Sequence, residues 1–283
     1  MDVNQLSSLI MNLSTLVFVV TSMLAMGLSL TVAQIIAPLR NARLVVLALL
    51  ANFVLVPLVA YLIGLVLPLS DGLKVGLILV STAAGAPFLP KLAQAARGDL
   101  AFSVGLMVLL MTVTVLYMPI MLPLLLQGVT VNPWDIARSL IILMLIPLGV
   151  GLFIKMRYVE IAAQLQPPMA QASTFAIAFL LVSGLLANLS SILGVIGTGG
   201  IIAALLFLAV AFVIGYFLGG KDGQIRSVLG LGTAQRNLAA ALVVATANFD
   251  DPDVMVMVLV LGLLGLVALM VTAGELGRRS KAP

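Results

Sequence analysis

The 283-residue chain is 63% hydrophobic and 8% charged, with a mean hydropathy of +1.28, a composition far outside that of soluble domains. Cysteine and histidine are both absent, which removes disulfides, thiol nucleophiles, thiolate or imidazole metal ligands and a neutral-pH base. The 14 basic and 10 acidic residues leave a formal charge of +4, but the basic ones are scattered singly and in pairs, with no basic face and no aromatic interleaving, so a nucleic-acid partner is excluded.

Several apolar runs exceed the roughly 18 residues needed to cross a bilayer, so the chain reads as an all-α polytopic membrane protein with lipid around it. Met1 to Leu9 lacks the basic region and small-residue cleavage site of a signal peptide, and the first apolar run is expected to be a retained helix. Charges and turn residues divide the chain into nine expected spans: 10–36, 42–68, 73–96, 100–127, 136–154, 168–188, 196–218, 226–248 and 253–275. Threaded alternately, they place Arg40, Arg43, Arg97, Lys155, Arg157, Lys221, Arg226 and the Arg278-Arg279-Ser280-Lys281 tail on one side. The other side receives Asp2, Asp71, Asp135 and Asp250-Asp251-Pro252-Asp253, with Lys74 and Arg138 as its basic residues. The positive-inside rule then puts the carboxyl terminus in the cytoplasm and the amino terminus outside, in a cell membrane of the bacterial inner-membrane kind.

The third span contains Ala83-Ala-Gly-Ala-Pro-Phe-Leu-Pro-Lys91. Pro87 and Pro90 each remove a backbone donor and crowd the preceding turn, so this helix is expected to break. The eighth span carries Thr233, Gln235, Arg236 and Asn237 near its midpoint, a stretch that suits a polar cavity and not lipid. A guanidinium at bilayer depth costs at least about 2.5 to 3.5 kcal/mol and keeps its proton, so Arg236 marks a solute site. Placing Thr82 on Thr233 also places Asp99 on Asp250, because each pair has the same separation. With the fifth span as connector, a single transmembrane transporter domain (1–283) divides into a first repeat (10–127), a connecting helix (136–154) and a second repeat (168–275). An odd connector inverts the second repeat, and interrupted helices at corresponding places in two inverted halves point to a transporter's binding site.

At Met26-Gly-Leu-Ser-Leu30, at Ala96-Arg-Gly-Asp-Leu-Ala-Phe-Ser-Val104 and at Asn237-Leu-Ala-Ala-Ala-Leu242, the chain resembles the bile acid:sodium symporter superfamily over nearly its whole length. The resemblance implies a nine-helix arrangement with a panel domain (helices one, five and six) and a core domain in which discontinuous helices three and eight cross near the midplane. It also implies a small organic anion as cargo. Aligned on the shared Leu-Ala-Ala-Ala-Leu, the family's cation-binding glutamate and glutamine fall on Gly230 and Ala234, and an asparagine near the substrate falls on Gln235. The Ser-Asn pair of the family's first break falls on Leu89 and Pro90, a threonine on Met107 and a glutamine on Asn52, while one serine is kept as Ser103.

Most of a sodium shell is thereby lost, since a hard cation wants several oxygens including a carboxylate. Arg236 and Lys91 stand in its place. The expected cargo site is Arg236 as a two-pronged clamp for a carboxylate or sulfate, with Gln235, Asn237, Lys91, Pro87 and Thr233, and Ser103 and Asn52 as a residual cation site. Lys91 can instead snorkel to the cytoplasmic surface along its own stem. Secondary transport of an organic anion without sodium is the leading reading, as uniport, anion exchange or proton linkage through Lys91. An ordinary sodium:organic anion symporter is the alternative, and a sensor or channel on the same fold is the next.

Overall fold

The computed structural model describes residues 3–36, 40–126, 132–187 and 197–280, and side chains within them except those of 3–12, 181 and 184–187. All regular structure among these residues is helical: α1 (Val3–Ser29), α2 (Val32–Ile36), α3 (Ala42–Val66), α4 (Asp71–Thr82), α5 (Leu89–Ala95) and α6 (Leu100–Leu125), followed by α7 (Pro133–Arg157), α8 (Val159–Ala187), α9 (Gly200–Leu218), α10 (Gly223–Ala234), α11 (Leu238–Asn248) and α12 (Pro252–Arg279). Six spans among them are long and apolar enough to cross a membrane, the α10–α11 pair counted as one, and Leu13–Ser29 of α1 is a shorter apolar helix. This is a multi-pass membrane protein. Of the other three expected spans, the third is divided between the short helices α4 and α5, and the first and sixth, α1 and α8, include residues whose side chains lie outside those described.

Several expected span edges shift. The sixth span was expected to start at residue 168, where two prolines stand, yet α8 begins at Val159 and runs through Pro167 and Pro168. The first span ends as a helix at Ser29, with α2 a separate short turn. The last residue expected for the fourth span, 127, the last for the sixth, 188, and the first for the seventh, 196, lie outside the described residues.

Two helices carry a five-residue π-turn, Ala51–Leu55 in α3 and Ile141–Leu145 in α7. Each lies two residues before a proline, Pro57 and Pro147. The ring removes one N–H from the helical ladder, so the donor before it reaches one residue further back: Val56 N–H donates to Ala51 O, and Ile146 N–H to Ile141 O. Phe53 O, whose usual donor would be residue 57, is taken instead by the Tyr117 hydroxyl of α6 at 2.6 Å.

Packing falls into close pairs: α1 lies against α7 and α8, α9 against α10, and α12 against α4. The α1–α7 approach is backbone to backbone. A methyl on Gly27 would sit 2.9 Å from Gly151 Cα and 2.8 Å from Leu152 N, and one on Gly151 would meet α1 at Leu28 N. In lipid, where apolar side chains gain little by leaving the acyl chains, such close approach through small residues is what holds helices together.

Candidate functional site

The site is built from two interruptions. Asn237 caps the second, accepting from Ala240 N–H at 3.1 Å, and so restarts the helix as α11 after residues 235–237. The first, residues 83–88, follows from its prolines. Inside a helix Ala83 O would accept from residue 87, but Pro87 has no N–H, so that carbonyl is free for another partner. Gly85 turns the chain at φ 81°, a left-handed conformation, and a Cβ there would run into the α6 backbone at Met111. The Thr114 hydroxyl of α6 serves both backbone groups of Ala84, accepting from its N–H and donating to its carbonyl, each at 3.0 Å.

The second interruption donates into the first. Asn237 N–H reaches Ala83 O at 2.8 Å, Asn237 Nδ2 reaches Gly85 O at 3.1 Å, and Arg236 Nε reaches Ala83 O at 3.2 Å. Arg236 Nη1 donates both to Asn52 Oδ1 at 3.1 Å and to Thr233 O at 2.8 Å. Asn52 is itself oriented by donating from Nδ2 to Ala48 O at 3.0 Å and to Thr233 Oγ1 at 3.3 Å. The guanidinium of Arg236, a residue 5% exposed, thus sits among three neutral oxygens drawn from the first interruption, α10 and α3. No ion pair involves it among the described residues. Its Nη2, though buried, has no protein acceptor, and buried Gln235 Oε1 has no donor.

Beside the crossing lies a cavity of 650 Å³ between α1, α8 and the interruptions. Of the expected cargo residues, Arg236, Gln235, Pro87 and Lys91 line it. Lys91 is exposed, with Nζ 5.5 Å from the Phe88 ring centre, so it occupies the open part of the cavity while Arg236 occupies the buried part. Among the residues lining it there is no aspartate or glutamate. Thr233 and Asn237 do not line the cavity. Their polar atoms are engaged with Asn52, Gly85 and the α11 cap. Asn52 and Ser103 share no hydrogen bond: Asn52 meets Arg236, while the Ser103 hydroxyl donates to Leu100 O at 2.7 Å within α6.

The opposite wall was not anticipated. It presents Ser22 and Ser29 of α1 and Gln166, Ser173 and Thr174 of α8. The signal was present in the spacing, because Ser22 and Ser29, like Gln166 and Ser173, lie seven residues apart and so share a face of their helix. A separate 770 Å³ groove between α3, α4 and α6, lined by Tyr61, Asp71 and Lys74, contains none of the expected residues.

Interrupted helices meeting beside a cavity that buries Arg236 and Ser173, inside a multi-pass bundle, are the architecture of a membrane transport protein. The chain belongs to the sodium bile acid symporter family, whose profile matches residues 16–218. That family consists of transporters and not of enzymes. The chain is 27% identical over 243 residues to the probable sodium/metabolite cotransporter BASS1, chloroplastic, of Arabidopsis thaliana, covering 84% of this chain and 60% of that protein. It is 26% identical over 252 residues to the uncharacterized sodium-dependent transporter YocS of Bacillus subtilis (strain 168), covering 83% and 74%. It is also 26% identical over 202 residues to the probable sodium/metabolite cotransporter BASS3, chloroplastic, of Arabidopsis thaliana, covering 71% and 47%. The chain therefore spans 60% of BASS1 and 47% of BASS3.

Proposed function

We propose that the protein is a secondary transporter that moves a small organic anion by alternating access, without sodium as the coupling ion. The observation that carries this reading is the charge of the cavity: Lys91 and Arg236 line it and no carboxylate does. The buried guanidinium of Arg236, in low dielectric, favours an anion and repels a cation, and the exposed Lys91 adds a second positive charge at the open end. The free Nη2 of Arg236 and the amide of Gln235 offer hydrogen bonds at the buried end, while the hydroxyls of α1 and α8 offer them across from it. This replaces a clamp made by the whole guanidinium with a contact from one nitrogen, since Nε and Nη1 already serve the protein.

Loss of sodium coupling is supported by the side chains at the positions the family uses for its cation. Gly230, Ala234, Leu89, Pro90 and Met107 offer no side-chain oxygen, and Asn52 Oδ1 already accepts from Arg236. In this reading nine crossings form two inverted halves. Consistent with that, Thr82 and Ala234 end the helices before the breaks, and Leu100 and Pro252 begin α6 and α12, each 18 residues later. Helices α1, α7 and α8 form the panel. The cavity reaches the α1 end that precedes Arg40 and the first half of α8, which follows Lys155 and Arg157, so it opens on the basic, cytoplasmic side.

A second reading, sodium:organic anion symport, is favoured by the similarity to BASS1 and BASS3, probable sodium/metabolite cotransporters. Uptake of labelled organic anions into proteoliposomes, with sodium against choline as the sole external cation, separates the two. Equal saturable rates are expected. A severalfold stimulation by sodium establishes symport instead, and absence of saturable uptake under any gradient removes the transporter reading.

A further inference from the structure

We propose that Arg236 is chiefly a positioning residue: its guanidinium is a pin that fastens the two interruptions to each other and to α3, seated in a cage of neutral oxygens that is itself a binding site for a planar organic cation. The cage is Ala83 O, Thr233 O and Asn52 Oδ1, at 3.2, 2.8 and 3.1 Å from the guanidinium nitrogens.

Each oxygen is available for a physical reason that does not depend on Arg236. Pro87 deprives Ala83 O of its helical donor, and Asn237 N–H fills one side of that carbonyl while leaving its second lone pair. Thr233 O lies at the end of α10, where Asn237 starts a new helix, and helix-end carbonyls lack intrahelical donors. Asn52 lies within the α3 π-turn, and its Nδ2 bonds to Ala48 O and Thr233 Oγ1 turn Oδ1 toward the guanidinium. The oxygens therefore persist when the side chain is shortened: Thr233 O and Asn52 Oδ1 lose the donor that Arg236 supplies, and Ala83 O keeps only Asn237 N–H. A buried acceptor without its donor is costly, a cost that a diffusible cation of the same shape relieves.

A pin differs from a cargo ligand in what it touches. Two of the three guanidinium nitrogens are committed to protein oxygens, and the partners come from segments far apart in the chain: α3, the first interruption and α10. Free guanidinium fits the cage by construction, because a guanidinium already occupies it. Urea has nearly the same shape and donors without the charge, and so separates a cation site from simple filling of a hole.

The test uses purified protein in detergent with no cargo present, so its outcome is independent of the transport reading. Guanidinium chloride at low millimolar concentration is expected to raise the melting temperature of Arg236→Ala by about 2 to 4 °C while leaving the unsubstituted protein unchanged, as linkage requires for a ligand of the folded state. Urea at the same concentration should raise neither. Adding Asn52→Leu to Arg236→Ala should abolish the rise. Arg236→Lys, which retains a buried charge, guards against a variant that cannot be purified: its amine leaves the planar cage part-filled, and guanidinium should raise its melting temperature by less than it raises Arg236→Ala but more than the unsubstituted protein. Equal responses in substituted and unsubstituted proteins, an equal effect of urea, or no response in either Arg236 variant overturns the proposal.

Discussion

The two interruptions meet as opposites. Residues 83–88 contribute backbone carbonyls, exposed by Pro87 and turned by Gly85, and present no charged side chain to the other break. Residues 235–237 contribute donors, the Asn237 N–H and side-chain amide and the Arg236 guanidinium. In the three bonds that join the breaks directly, the donor lies in the second and the acceptor in the first. The lesson is that a broken helix in a membrane creates a surplus of one kind of backbone group, and a second break of the opposite kind can satisfy it without water. Neither half is satisfied alone.

That complementarity can be broken from either side, and the acceptor side should be the more fragile. Gly85→Val places a branched side chain at φ 81° against the α6 backbone, and we expect a loss of about 3 kcal/mol or more, seen as loss of a monodisperse, thermally stable population in detergent. On the donor side, Asn237→Ala removes both the α11 cap and the Gly85 bond and should cost about 2 kcal/mol in melting experiments. Asn237→Ser sharpens that result, because serine restores the cap but cannot reach as an amide does. Recovery of most of the stability would show that the cap, and not the cross-break bond, carries it. A step smaller, Tyr117→Phe leaves Phe53 O unpaired beside the π-turn and should cost about 1 kcal/mol without changing cargo selectivity. Smallest of all, Lys91→Gln in the exposed part of the cavity should raise the half-saturating anion concentration by about threefold, equivalent to under 1 kcal/mol, and leave the maximal rate alone. A large fall in maximal rate would place Lys91 at the moving step instead of the entry.

Much of the site was legible because its causes are local. Pro87, Pro90 and Gly85 announce a break by stereochemistry, and Arg236 in an apolar run announces buried polarity by cost. What the sequence withheld is which atoms face which. Nothing local says that Thr233 and Asn237 spend their polar atoms on packing while Gln235 and Arg236 reach the cavity, because residues 235–237 leave helical geometry and the usual face-counting no longer carries across them. Thr114 and Tyr117 were hidden for a related reason: Tyr117 answers a carbonyl freed by Pro57 of α3 and Thr114 answers both backbone groups of Ala84 in the first interruption, and such pairing between segments is a tertiary fact. The start of α8 at Val159 shows a converse case, since paired prolines and a polar stretch read as a boundary while the helix continues through them.

On the proposed reading, the guanidinium of Arg236, which has no ion-pair partner among the described residues, puts a fixed elementary charge in the transport path. Moving one charge across the full membrane potential is worth about 2.3 kcal/mol per 100 mV. A carrier whose cargo is a monovalent anion then presents a near-neutral site when loaded and a positive one when empty. Voltage acts on the empty site's movement and hardly at all on the loaded one, so the membrane potential governs how fast the carrier resets and not how firmly it holds its cargo.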